Sequence, residues 1–295
     1  MEDGMACRIC SGAAREKIQT RDMMADNKNK YFYEVCENCG AWQIDKIPED
    51  MGQFYKSDYY SYTENPDNMK KTNDTFIAKS MITKFNLTEK SSILDYGAGN
   101  LQLLKAFYEN GCGVDGELHK LRGYDKYAPQ VNWKGIKLQN TLPTDIKFDF
   151  ILSKHVIEHE TDPGEHICNL LNLLTSSGGI RLAMPNADSY CARLFKGSWT
   201  GIDGPRHLHI LTPKALKLIV NECGGDVVDE EYQCIWLEYV FSKAFKEGRN
   251  WRTKDAYFMG VKQEDRVRFS HFCNTLAELK DGDGYNCTII KKAVK

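Results

Sequence analysis

Ser91-Ser92-Ile93-Leu94-Asp95-Tyr96-Gly97-Ala98-Gly99-Asn100-Leu101 is the stretch on which the fold turns. Ile93 and Leu94 suit a short strand buried on both faces. Asp95 stands at its end. Gly97 and Gly99 allow a tight turn and a close approach of backbone to a ligand. Leu104, Phe107 and Tyr108 then follow helical spacing from Leu101, with Gly111 as a stop. The free N–H groups of such a loop and helix start can hold a carboxylate or a phosphate. Taken alone, the stretch reads equally as an ordinary glycine turn, so the chain around it has to decide.

Downstream, strand and helix patterns alternate, as they do in a doubly wound α/β sheet. Leu121-Arg122-Gly123-Tyr124-Asp125 reads as a second strand with an acidic end, and Lys137–Asn140 as a third. Phe148–Ser153, Ile180–Met184, Asp226–Cys234 and Tyr285–Ile290 read as the fourth to last. One helix is expected over Thr72–Asn86. A second follows the N-cap and N1 pair Asp162-Pro163 and runs to Gly178-Gly179. A third starts at Thr212-Pro213, with Leu216, Ile219, Val220 and Cys223 on one face. Residues Leu237–Leu279 read as mostly helical, an insertion at about 237–280. Ligands of open α/β sheets sit at the carboxyl ends of the strands, which draws attention to Ser153 through His159.

At Asp95, Gly97 and Gly99 the chain resembles the class I S-adenosylmethionine-dependent methyltransferases. Their first motif is acidic-x-Gly-x-Gly-x-Gly, and Leu101 stands where the third glycine usually falls. A nicotinamide dinucleotide site would need glycine at Gln102 instead. The resemblance runs from Thr72 to the end of the chain. It implies an α/β fold with a doubly wound seven-stranded sheet and an antiparallel last strand. It also implies S-adenosyl-L-methionine as donor, bound by Asp95, Tyr96, Gly97, Ala98, Gly99 and Asn100, with Asp125 on the ribose. Asp115 is a rival for that role but lacks a preceding strand pattern. Gln139 or Asn140 would lie near the adenine, and Ser153 beside the donor.

Lys154-His155-Val156-Ile157-Glu158-His159, followed by Asp162-Pro163, looks like the post-strand motif of small-molecule methyltransferases. Asp203-Gly204-Pro205-Arg206-His207 resembles a stretch found after the fifth strand in bacterial enzymes that act on sugars or secondary metabolites. His207 is therefore the expected base, since an imidazole titrates near working pH. His155, His159 and Glu158 are further catalytic candidates; the two histidines read equally as structural, and Glu158 reads first as ordering the loop. Arg206 and His209 are expected at the acceptor, the guanidinium to hold an anionic group. The implied acceptor is a small-molecule hydroxyl on a sugar nucleotide or glycan precursor.

A second signal lies near the N-terminus. Cys7-Arg8-Ile9-Cys10 and Cys36-Glu37-Asn38-Cys39 form two C-x2-C pairs. Four thiolates satisfy a tetrahedral zinc ion and leave no open position, so the expected Zn2+ is structural. Such a module would also offset the lack of a hydrophobic core in the first 45 or so residues. A redox pair, an iron site and packing cysteines are the other readings. Similar knuckles precede the core of sugar C-methyltransferases that the chain resembles in part. The aromatic run Phe54–Tyr62 reads as packing or as a lid, with Tyr59 and Tyr60 as donor-site candidates. The expected organisation is a zinc-binding module over 1–45, an aromatic linker or lid over 46–71, and a methyltransferase domain over 72–295.

Composition narrows the function class. The chain has 295 residues, 42% hydrophobic and 27% charged, which suits a soluble globular protein. A net charge of −2 gives no electrostatic footprint for nucleic acid, so no nucleic-acid partner is expected. That counts against a zinc-ribbon RNA methyltransferase. A non-catalytic binding protein on the same fold is the other alternative, and Asp95, Asp125 and the histidine-rich loop count against it. No run is long and apolar enough for a membrane span. Met1-Glu2-Asp3-Gly4 carries no apolar leader core, so a cytoplasmic location is expected. The 11 cysteines are then expected as reduced thiols, serving metal or packing rather than disulfides. The oligomeric state has no signal in the sequence.

Overall fold

The computed structural model describes residues 5–24, 29–55, 62, 68–115, 118–250 and 260–293. In chain order, β1 (Ala14–Arg21), β2 (Lys30–Cys36) and β3 (Trp42–Ile44) come first. They are followed by α1 (Asn68–Phe85), β4 (Ile93–Tyr96), α2 (Gln102–Glu109) and a hairpin of β5 (Val114–Asp115) and β6 (Leu118–His119). Next come β7 (Leu121–Tyr124), β8 (Asn132–Trp133), β9 (Ile136–Gln139), β10 (Phe148–Lys154), α3 (Pro163–Leu173), β11 (Leu174–Pro185) and α4 (Tyr190–Phe195). The chain closes with β12 (His209–Ile210), α5 (Pro213–Glu222), β13 (Gly225–Gln233), α6 (Trp236–Lys246), α7 (Gln263–Glu278) and β14 (Gly284–Lys291).

The main sheet is eight-stranded, in the order β13-β14-β11-β10-β4-β7-β9-β8. Its five central strands, β11 to β9, are parallel, whereas β14 runs antiparallel to both β11 and β13. This is the α/β methyltransferase arrangement with its antiparallel last strand. The eighth strand is the short β8, which pairs antiparallel with β9 at the edge. Two residues around a turn at Gly135 leave no periodicity to read. β11 also starts earlier than expected and runs through Gly178-Gly179, where Phe85 of α1 occupies the space that a side chain at Gly179 would take.

Apolar faces on both sides cover the sheet. Ala78 and Met81 of α1, with Leu104 and Phe107 of α2, pack with Phe150 and Leu152 on one side. Ile167, Leu170 and Leu171 of α3 and Leu216 and Ile219 of α5 pack with Ile151 and Ile180 on the other. The caps behave as their residue types predict: Asp162 accepts from Glu165 N–H and Thr212 from Ala215 N–H, each with proline next. The expected insertion contains two described helices, α6 and α7.

A second sheet has the order β1-β2-β3-β12. Its last strand comes from far along the chain: His209 and Ile210 pair with Gln43 and Trp42. The N-terminal region therefore does have a hydrophobic core. Ile18, Tyr33, Val35 and Ile44 are buried together with Cys191, Phe195, Trp199 and Leu208. No local pattern marks it, because more than half of that core is supplied by the chain after β11. Cysteine usage also departs from expectation at one pair, since Cys168 of α3 is disulfide-bonded to Cys223 at the end of α5.

Candidate active site

The glycine loop follows β4. The N–H groups of Gly97 and Ala98 donate to Tyr124 O at 2.8 and 3.0 Å, tying the loop to the end of β7. Gly97 has a φ of +82°, and a Cβ there would lie 2.3 Å from a Val156 methyl, so only glycine fits. Leu101 takes a φ of +64° and is fully buried. Its side chain fills the space above Gly123, where a Cβ would come within 2.5 Å of Leu101 Cδ2. The bare backbone of Gly123 makes room for the leucine that replaces the motif's third glycine.

Asp125 joins this loop to the neighbouring strand. Its Oδ2 accepts from Gly99 N–H at 3.1 Å, and its Oδ1 from the N–H groups of Tyr127 and Ala128 at 3.0 and 2.9 Å. Asp95 lies buried beneath the loop. Burial pushes its carboxyl up to about 7, with the charges of Asp74 and Asp125 adding and that of Lys154 opposing.

A cavity of about 940 Å³ opens over these groups. Asp95 to Asn100 and Asp125 line one side of it. Tyr55, Tyr62, His155, His159 and Glu160 line the other. The volume is in the range of sites that take a cofactor together with a small ligand.

The turn after β10 builds the second side. His155 has a φ of +54°, a sparsely populated conformation for a residue with a side chain. Its N–H is fixed to Ala183 O at 2.8 Å. Its ring is 55% exposed, and Nδ1 lies 3.2 Å from Glu158 Oε1. Glu158 itself is buried. Burial works to raise its carboxyl, but the His155 hydrogen bond and the adjacent His155, His207 and His159 rings outweigh that and hold it at about 2. His159 is held down to about 4, by burial first and then by His207. Its Nδ1 lies 3.0 Å from Arg206 O and 2.8 Å from the Tyr55 hydroxyl. Tyr55 stacks on Tyr127 at 4.7 Å, which links this side of the cavity to the Asp125 turn.

Behind His159 lies the loop that precedes β12. His207 packs edge-on against His159, with ring centroids 4.7 Å apart, and its Nδ1 is 2.8 Å from Gly201 O. Arg206 is buried between two carboxylates. Its Nε donates to Asp203 at 2.9 Å and its Nη2 to Asp203 and Asp22 at 2.6 and 2.8 Å.

The four N-terminal cysteines converge on one point. Cys7 and Cys39 sulfurs are 3.6 Å apart, and those of Cys10 and Cys36 are 3.5 Å apart. A tetrahedral zinc with Zn–S bonds of about 2.3 Å has S–S edges of roughly 3.8 Å, so the set fits one ion. Gly12 lets the chain pass close to the sulfurs, since a Cβ there would lie 2.9 Å from Cys36 Sγ.

Residues 69–230, more than half of the chain, match the methyltransferase-domain family. The chain belongs to that family. The methyltransferase is similar in fold to a chain of the solved complex between the Haloferax volcanii Trm112 methyltransferase activator and its methyltransferase partner. The identity is 12%, over 84% of this chain and 100% of that one, with a TM-score of 0.51. It is also similar to the 1,6-didemethyltoxoflavin-N1-methyltransferase of Burkholderia thailandensis. There the identity is 13%, over 88% of this chain and 98% of that one, with a TM-score of 0.48. No curated protein matches it.

The methyltransferase brings the expected donor residues Asp95, Tyr96, Gly97, Ala98, Gly99, Asn100 and Asp125 together around the cavity, and His155 and His159 across from them. Other expected positions do not line it. Ser153 is fully buried and bonded to His166 Nε2 at 3.1 Å. Asn140 faces outward and donates to the carbonyls of Asp125 and Ala128 at 2.7 and 3.1 Å, holding the turn from outside. Arg206, expected to meet an anionic acceptor, is committed to Asp203 and Asp22, because a buried guanidinium needs carboxylate partners. His209 is buried in β12, with Nδ1 3.1 Å from Glu160 O and Nε2 3.4 Å from Arg8. His207 stands behind His159, off the cavity wall, and Glu158 stands beneath His155. Tyr59 and Tyr60 lie outside the described residues. Tyr55, Tyr62, Asp74, Lys154 and Glu160 line the cavity without having been singled out. The aromatic run contained the two tyrosines. Asp74 lies on the helix expected over Thr72–Asn86, whose apolar spacing marks a packed face and not a ligand, so nothing pointed to it. No helix among the described residues is long and apolar enough to cross a membrane.

Proposed function

We propose that the protein transfers the methyl group of S-adenosylmethionine to a hydroxyl of a small molecule, a sugar nucleotide or glycan precursor. The observation that carries this reading is one cavity with the glycine loop and Asp125 on one side and His155, backed by Glu158, on the other. The methionine end would lie over Gly97 to Asn100, and the ribose on Asp125, whose Oδ2 accepts one backbone hydrogen bond and retains capacity for a further donor.

The sulfonium methyl is already activated, so the protein has to align the acceptor and take its proton. His155 suits that task better than His207. It lines the cavity, whereas His207 is screened by His159. Glu158 accepts the His155 Nδ1–H, which orients the ring and leaves Nε2 to receive the acceptor's proton. The sugar-type acceptor rests on the resemblance of Asp203–His207 and Lys154–His159 to segments of enzymes acting on sugars and small molecules. Zinc at Cys7, Cys10, Cys36 and Cys39 would serve the fold: the four-sulfur set is closed and lies away from the cavity.

The test is methyl transfer from labelled donor to nucleotide sugars, glycolipid precursors and RNA. Label in a nucleotide sugar or glycan precursor supports the reading. Label in RNA alone would replace it with the nucleic-acid alternative.

A further inference from the structure

Glu158, His159 and His207 each bring a ligand atom to within 4.8 Å of the other two. They come from two separate pieces of chain, the turn after β10 and the loop before β12. Each imidazole has its Nδ1 against a backbone carbonyl, His159 at 3.0 Å from Arg206 O and His207 at 2.8 Å from Gly201 O. A carbonyl only accepts, so either ring in its neutral form carries its proton on Nδ1, with the Tyr55 hydroxyl 2.8 Å from His159 Nδ1 as a second acceptor there, and keeps the lone pair on Nε2. Metal-bound histidines are characteristically held this way, the second ring nitrogen donating to a carbonyl or carboxylate. Asp203 Oδ2 lies 4.0 Å from His207 Nε2, beyond hydrogen-bond reach.

Glu158 supplies the independent observation. Its side chain is 1% exposed, and Oε1 is engaged by His155 at 3.2 Å. Oε2 is buried with no hydrogen-bond partner among the described residues. A bare carboxylate oxygen in the interior is costly unless a cation or a donor meets it. Among the described residues no lysine or arginine is paired with it.

We propose that Glu158 Oε2 and the Nε2 atoms of His159 and His207 bind a divalent first-row transition cation. Two imidazoles and one carboxylate suit such an ion, and three protein ligands leave a coordination position open. His159 also lines the cavity, so an ion held there would stand beside the acceptor side. An acceptor oxygen taken up there would be acidified beside His155, which shares Glu158 with the ion. That last role rests on the methyl-transfer reading; ion binding does not.

The test uses full-length protein with its thiolates loaded with zinc, stripped of weakly held metal and titrated with Co2+. One Co2+ should bind per chain, with visible bands of a nitrogen and oxygen environment and no sulfur charge-transfer band. His207→Ala and Glu158→Gln should each weaken that binding at least tenfold, with circular dichroism showing that the variants remain folded. If Glu158→Gln fails to fold, His207→Ala decides. Absence of a bound Co2+ in the wild type, a sulfur charge-transfer band, or unchanged affinity in the folded variants would overturn the proposal. S-adenosylhomocysteine titrated into the same samples keeps the two readings apart. Co2+ binding without it would leave the ion site standing and remove the donor reading, and the converse would do the opposite.

Discussion

His155 is the residue on which turnover should depend most. An alcohol is a poor nucleophile until its proton has somewhere to go, and a positioned base is worth ~10²–10⁴ in rate. His155→Ala is expected to lower kcat within that range, with donor affinity changed far less, as read by steady-state kinetics beside calorimetry. Full turnover in this variant would move the base elsewhere. Asp95 carries a pH prediction. Its buried carboxyl sits at about 7 against an ordinary 3.8. Because the folded value is raised, this group's contribution to stability is full below about 4 and is lost as pH rises toward 7. The methionine ammonium of a bound donor favours the ionised carboxylate, so binding expels a proton. Donor affinity should therefore be full above pH 7 and fall below it by up to about tenfold per unit, and Asp95→Asn should flatten the profile. A profile unchanged by that substitution would separate Asp95 from the ammonium. Asp95 and His155 were legible because motif spacing puts them at strand ends. Arg206 was misread because a sequence reports a guanidinium but not the two carboxylates, Asp203 and Asp22, that bury it.

The loop between β4 and α2 departs from the family's motif and compensates within the fold. A leucine held left-handed costs roughly 1–3 kcal/mol relative to glycine. Leu101 accepts that strain and regains burial above Gly123. The two positions should therefore be coupled. Gly123→Ala is expected to destabilise by roughly 1–3 kcal/mol through overpacking and to weaken donor binding. Adding Leu101→Gly should recover part of the loss, with a coupling of about 0.5–3 kcal/mol in a double-mutant cycle of denaturation midpoints. Strict additivity would show that the contact does not matter. Central strands such as β4 and β10 were readable because both faces are buried and their sequences are apolar runs. The two-residue strands β8 and β12 were not, since so short a segment has no period and owes its conformation to its partner.

At the scale of the whole molecule, the N-terminal sheet is closed by β12, whose chain has just passed through Arg206 and His207. The cysteine cluster and the acceptor side of the cavity thus share a support. No local pattern could reveal this, because the pairing of Trp42 with Ile210 joins segments far apart in sequence. Cys36→Ser should release the zinc, measured by elemental analysis, and raise KM or lower kcat for the acceptor. The Kd for S-adenosylhomocysteine should stay near that of the wild type, because the glycine loop and Asp125 rest on the other sheet. A protein prepared without chelators that holds no zinc would remove the metal from this account.

The central claim is that the glycine loop and Asp125 hold the methyl donor, and calorimetric titration with S-adenosylhomocysteine, in wild type and in Asp125→Ala, tests it most directly. One site per chain is expected in the wild type. In the variant, binding should weaken by roughly 1.5–3 kcal/mol for each hydrogen bond that the carboxylate makes to the ligand. Tight binding of a nicotinamide dinucleotide with no heat from S-adenosylhomocysteine, or equal affinity in both proteins, would contradict it.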